Sequence, residues 1–136
     1  MIVDGTGLVA GRAATRIAKA LIKNESVIVV NSENFLLVGT KEASMEKYIK
    51  RVNASVKSNP HYGPKFDRIP SKMFKFMVKG MLPNRKKTAL RVLKNLKVYN
   101  KNLSNLKGDV IEKSKCNDKH DSTTLKEIAE SLGGRW

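Results

Sequence analysis

The positive charge of this chain is confined to one stretch. Its 27 lysines and arginines outnumber its 12 acids by 15. Residues 1–46 carry five of each sign and residues 102–136 six of each, whereas residues 47–101 carry sixteen cations against the single acid Asp67. A block of like charge opposes its own compaction, so it settles best against an anionic partner that relieves the repulsion. A lysine-rich face kept only for solubility normally mixes signs. This one does not, and nucleic acid is the expected partner.

The rest of the chain limits what carries that block. At 136 residues it is the length of one domain, and its 40% hydrophobic residues suit an ordinary core. The longest apolar runs, Val27–Val30 and Phe35–Val38, are four residues each, against about twenty for a membrane span. The start, MIVDG, lacks the basic and apolar stretches of a signal peptide. Cys116 is the only cysteine, so no internal disulfide is available. A soluble cytoplasmic protein is expected, with no membrane partner.

Periodicity predicts alternating strands and helices. Ile2–Asp4, Val27–Val30, Phe35–Val38 and a segment from Lys97 to Asn100 read as strands. Leu8–Lys23 reads as a helix, with Val9, Ala13, Ile17 and Leu21 on one face and Arg12, Arg16, Lys19 and Lys23 as a basic stripe. A second helix starts behind Thr40 as N-cap and buries Met45, Tyr48, Ile49, Val52 and Val56. Lys57–Ile69 is aperiodic, a long loop expected to settle on its partner.

Pro70 suits the first turn of a third helix. Met73, Phe74, Met77, Val78, Met81 and Leu82 form its apolar face, with Lys72, Lys75 and Lys79 opposite. A fourth helix is expected through Lys87–Leu96. Thr124 and Glu127 have capping-box spacing for a short helix over 124–132, stopped by Gly133–Gly134. The pattern predicts one α/β domain over residues 1–136: a largely parallel four-stranded sheet flanked by helices, with a basic loop and a helical projection.

Catalytic constellations are missing. Cys116, His120 and His61 are the only Cys or His residues, fewer than the four of a structural zinc site, so no metal and no cofactor is expected. Gly5, Gly7 and Gly11 resemble a dinucleotide turn, but the third glycine comes one residue late and Glu25 falls before the second strand. A nucleotide-binding enzyme using Gly5–Gly11 is one alternative, and a free-standing RNA-binding regulator another. The basic helices also fit a membrane surface, but their apolar faces are needed for the core. Tyr62 and Phe66 stand among the loop's charges, suited either to stacking on unpaired bases or to packing the loop down.

Five segments in order carry a family likeness: GLVAGRAATRIAK (7–19), VVN (29–31), GPKFDRIPS (63–71), VKGMLP (78–83) with LKVY (96–99), and TLKEIAESLGGRW (124–136). Together they resemble the L-thirteen family of large-subunit ribosomal proteins, in its archaeal and eukaryotic form. The resemblance implies a non-catalytic constituent of the large subunit, a parallel α/β fold, and ribosomal RNA and neighbouring ribosomal proteins as partners, with no small-molecule substrate. By position in the matching motifs, Arg12, Arg68, Lys79, Arg85 and Lys86 are expected RNA contacts, and Gly80–Pro83 the corner that aims the basic helices. Arg16, Lys65, Lys72, Lys75, Lys87, Arg91 and Lys94 join the RNA-binding set on charge alone.

Overall fold

The computed structural model describes residues 1–83, 91–102, 108, 114–116 and 121–136. Three short strands form a parallel sheet in the order β1 (Ile2–Asp4), β2 (Val27–Val30), β4 (Leu96–Val98). The register sets Val3 opposite Val29 and Val27 opposite Leu96, all fully or almost fully buried. Helix α1 (Ala10–Ile22) makes the crossover from β1 to β2. Its buried face is mostly alanine (Ala10, Ala13, Ala14, Ala18 and Ala20, with Ile17 and Leu21). Small side chains let it lie close to α3 (Pro70–Met81), which packs against it. The deepest aromatic contact is a near-parallel stack of Phe35 on Phe74, centroids 4.1 Å apart. Burying each such ring contributes about 2 kcal/mol.

The α/β class stands; among the described residues three of the four expected strands form the parallel sheet and the fourth, Leu36–Val38, joins a second sheet. After β2 the chain turns through Asn31, whose φ of 54° is left-handed, and a 3-10 turn at Ser32–Asn34. This redirects β3 (Leu36–Val38) out of the first sheet. It pairs antiparallel with β5 (Ser122–Thr124), Leu36 opposite Thr124. β5 is polar (Ser-Thr-Thr) and shows no apolar alternation, which is why periodicity passes over it.

Helix boundaries follow their predicted caps. α2 (Lys41–Asn53) begins where the Ala43 amide donates to Thr40 Oγ1 at 3.4 Å, and α4 (Leu125–Ser131) where the Glu127 amide donates to Thr124 Oγ1 at 3.2 Å. Each such cap contributes about 1 kcal/mol. α2 buries less than expected: Tyr48 is buried but Ile49 is exposed, and Val56 lies beyond the helix end and is exposed too. At the end of α3, Met81 is exposed and Leu82 is the buried residue. The helix expected to reach Leu96 ends before it. Residues 91–93 are helical, and Leu96 instead pairs with Val27 in β4, because the strand ladder outcompetes one more helical turn. Residues 87–90 of that expectation lie outside the described residues.

Candidate nucleic-acid interface

Helix α3 and the outer strand β4 meet along one open groove of about 450 Å³, lined by Ser71, Lys72, Lys75, Lys94, Leu96, Lys97, Val98 and Tyr99. Each lysine arrives for a local reason. Lys72 and Lys75 are on the face of α3 opposite Met73, Phe74 and Val78, which are buried. Lys97 falls between the buried Leu96 and the half-buried Val98, so strand alternation turns it outward. Lys94 sits in the turn before β4, where its amide donates to the Arg91 carbonyl at 3.2 Å.

The groove is held rigid at one end by Asn100. Its Oδ1 accepts from the Ser71 amide at 2.9 Å and from Ser32 Oγ at 3.3 Å, tying the first turn of α3 to the chain just beyond β4. Among the described residues no acid lines the groove. Asp67 stands beside the groove and takes Lys72 Nζ at 3.1 Å. Both partners are more than half exposed, so the pair contributes little to stability. Four ammonium groups around one groove repel each other, and a phosphate backbone relieves that repulsion while releasing its own counterions.

The structure thus brings together Lys72, Lys75 and Lys94 of the predicted set and adds Lys97, which sequence reasoning missed. Its signal was present in LKVY, a charge between two apolar strand residues. Arg12, Arg16 and Lys79 are exposed on α1 and α3. The two helices touch where Thr15 Oγ1 lies 3.5 Å from Met81 Sδ. Lys65 is exposed on the loop. Arg91 lines a different cleft, with Asn24, Val92 and Asn95. Arg68 lies against the turn that ends α4: a β-carbon at Gly133 would sit 3.6 Å from its Nη1, and one at Gly134 would overlap its carbonyl oxygen. A guanidinium near a helix C-terminus also complements the helix dipole. Arg85, Lys86 and Lys87 lie outside the described residues.

The two loop aromatics divide. Phe66 is half-buried and packs on Tyr48 (centroids 5.6 Å apart) and Phe76 (5.8 Å), while Tyr62 is 85% exposed. The Arg51 guanidinium lies 5.5 Å from the Tyr48 ring centre and 6.0 Å from that of Phe66. Burial raises the Tyr48 pKa, opposed by the Arg51 charge.

The glycine turn before α1 is built for packing. A β-carbon at Gly5 would come within 2.8 Å of the Asn31 carbonyl and 3.0 Å of the Phe35 ring. The Val9 amide at the helix start is taken by the Ser114 carbonyl at 2.8 Å. Asp4 occupies the turn and accepts from the Thr6 amide, the Thr6 hydroxyl and Asn31 Nδ2. Desolvation works to raise its pKa, but these hydrogen bonds prevail and hold it below the ordinary value. Its stabilisation is therefore full above the usual carboxylate pKa and lost as pH falls through the lowered one. A carboxylate in this turn is a poor neighbour for a nucleotide phosphate. Among the described residues no group of three or more His, Cys, Asp or Glu is placed to hold a metal ion, and no helix is long and apolar enough to cross a membrane.

A family model described as Ribosomal protein L13 matches residues 1–105 of this chain, a span that includes the whole groove. The chain is 35% identical to the large ribosomal subunit protein uL13 of Methanosphaera stadtmanae, the alignment covering 99% of this chain and 98% of that one. It is 30% identical to the protein of the same name from Methanocaldococcus jannaschii, with the same coverage. With that of Haloarcula marismortui the identity is 33%, over 98% of this chain and 90% of the relative.

Proposed function

Because this chain belongs to the ribosomal protein L13 family, a structural constituent of the large ribosomal subunit, we propose that it binds ribosomal RNA through the groove between α3 and β4. The observation that carries this reading is the convergence of Lys72, Lys75, Lys94 and Lys97 on one groove, with no acid among its described lining residues. An A-form helix hides its major-groove base edges, so contacts here are to phosphates and 2′-hydroxyls rather than to sequence. Lysine suits that task as a mobile point charge, whereas arginine imposes a planar fork. Arg12, Arg16 and Lys79 extend the phosphate contacts onto α1 and the end of α3, and Lys65, Arg91 and the segment Arg85–Lys87 add to them. Arg68 contributes mainly by fixing the loop to α4. The protein works without a cofactor, in the cytoplasm, among neighbouring large-subunit proteins.

The test is the affinity of the full chain for a large-subunit ribosomal RNA transcript across 50–200 mM salt. Each neutralised phosphate contributes roughly 0.7–0.9 to the log–log slope, so the four-lysine groove alone contributes about −3 and the full chain should give a slope at least that steep. A slope near zero would overturn the reading.

A further inference from the structure

Phe76 is out of place. The core stripe of α3 is Met73, Phe74 and Val78, with Met77 beside it. Phe76 is off that stripe and 53% exposed. Its helical neighbours at i−4 and i+3 are Lys72 and Lys79, so it stands within the lysine face. A half-exposed phenyl ring among ammonium groups gains little from burial and does nothing for solubility.

The ring is nonetheless held. Phe66 meets it almost perpendicularly, at an interplanar angle of 82° and a centroid distance of 5.8 Å. Phe66 is fixed in turn by buried Tyr48, over which Arg51 lies. The result is a row, Arg51–Tyr48–Phe66–Phe76, anchored at the buried tyrosine and ending in an oriented aromatic surface beside the phosphate-binding lysines. Edge-to-face packing of this kind is favourable in itself and removes rotational freedom before any ligand arrives.

Charge decides what that surface fits. An apolar protein patch laid on Phe76 would have to desolvate Lys79, and Lys72 with only Asp67 to compensate it. A nucleotide offers both complements, a flat π-face for the ring and a phosphate for each lysine. A paired base shows only its edges, so the nucleotide must be unpaired. Resting on the RNA-binding reading above, we propose that Phe76 is a stacking platform for an unpaired nucleobase of the bound RNA, flanked by phosphate contacts from Lys72 and Lys79. The protein would then recognise a bulge, loop or single-stranded junction, and not an uninterrupted duplex alone.

The test uses the full chain with two probes, a twelve-nucleotide oligoadenylate and a twelve-base-pair RNA duplex whose two ends are closed by short polyethylene glycol linkers, so that no base face is exposed. Phe76→Ala should weaken oligoadenylate binding about tenfold, in line with base–aromatic stacking, with an unchanged salt slope and duplex affinity held within twofold. Phe76→Trp should retain or improve it, whereas Phe76→Leu should bind as weakly as the alanine variant. Far-ultraviolet circular dichroism checks that each variant is folded, and Phe76→Trp keeps the test open if alanine disturbs the helix. Equal losses on both probes, no loss on oligoadenylate, or full recovery with leucine, which marks an ordinary apolar contact, would each overturn the proposal while leaving the RNA-binding reading intact. Failure of the parent chain to bind either RNA in a salt-dependent way would overturn that reading itself.

Discussion

Among the described residues, the α3–β4 groove and the cleft beside α4 are open clefts of similar size. The α3–β4 groove, about 450 Å³, holds Lys72, Lys75, Lys94 and Lys97 with no acid among its described lining residues. The cleft beside α4, about 390 Å³, holds Lys101, Lys126 and Arg135 together with Glu33 and Glu130. The cation numbers are close, four against three; the arrangement of sign is not. In the second cleft the chain supplies its own counter-charges, and Glu33 also accepts from Trp136 Nε1 at 3.3 Å, securing the C-terminal residue. In the first, Asp67 at the edge meets Lys72 alone, and the counter-charge for Lys75, Lys94 and Lys97 has to come from outside. Segregation of sign, more than basic content, separates a polyanion site from a structural polar cluster.

This contrast predicts a division of mutational effects. The largest belongs to the groove: Lys75→Glu with Lys94→Glu should weaken binding to a large-subunit ribosomal RNA transcript about 100-fold. The log–log salt slope should shallow by roughly 1.5, two phosphate contacts being lost. The matched reversal in the other cleft, Lys126→Glu with Arg135→Glu, should change affinity less than about threefold, since isolated surface charges of mixed neighbourhood contribute little. Filter binding over a salt series measures both. Equal losses from the two pairs would erase the distinction.

The next effect runs the other way. Gly134 lines the C-terminal cleft, its amide donates to the Ala129 carbonyl at 2.8 Å, and a β-carbon there would overlap the Arg68 carbonyl. Backbone cannot yield as a side-chain tip can, so Gly134→Ala should cost about 2 kcal/mol of stability, seen as a lower urea midpoint. The affinity of the folded fraction for RNA should be unchanged. A loss of affinity with no loss of stability would move this turn into the binding surface.

Much of this was legible in the sequence, for reasons that are local. Alanine and isoleucine spacing marked α1, Thr40 and Thr124 marked the starts of α2 and α4, and Pro70 stands at the first position of α3. Charge bookkeeping marked the cationic block. What stayed hidden is tertiary. Lys75 and Lys94 are nineteen residues apart in the chain, and only the packing of α3 beside β4 makes them neighbours. Tyr62 and Phe66 are equivalent as letters, but Phe66 is covered by Tyr48 and Phe76 while Tyr62 stands out in solvent. β5 is three polar residues that become a strand because β3 supplies the partner edge. Arg68 sits in a basic motif and still faces a glycine turn 65 residues further on.

The smallest predicted effect tests the principle of sign segregation at the edge of the groove. Asp67 is the one acid of the block 47–101, and its carboxylate holds Lys72 Nζ at 3.1 Å. It acts in two opposing ways, cancelling part of the field that attracts phosphate and restricting a long side chain that otherwise samples many rotamers. Asp67→Asn removes the charge and keeps an oxygen that can accept from Lys72. If field strength governs the groove, the substitution should tighten RNA binding about twofold and steepen the salt slope by less than one. If placement governs it, affinity should fall instead, because Lys72 loses the stronger tether. A twofold gain accompanied by a steeper slope would show that the groove is limited by the neighbouring Asp67 carboxylate; a loss would show that the groove's geometry, and not its charge alone, is what distinguishes it from the mixed cleft beside α4.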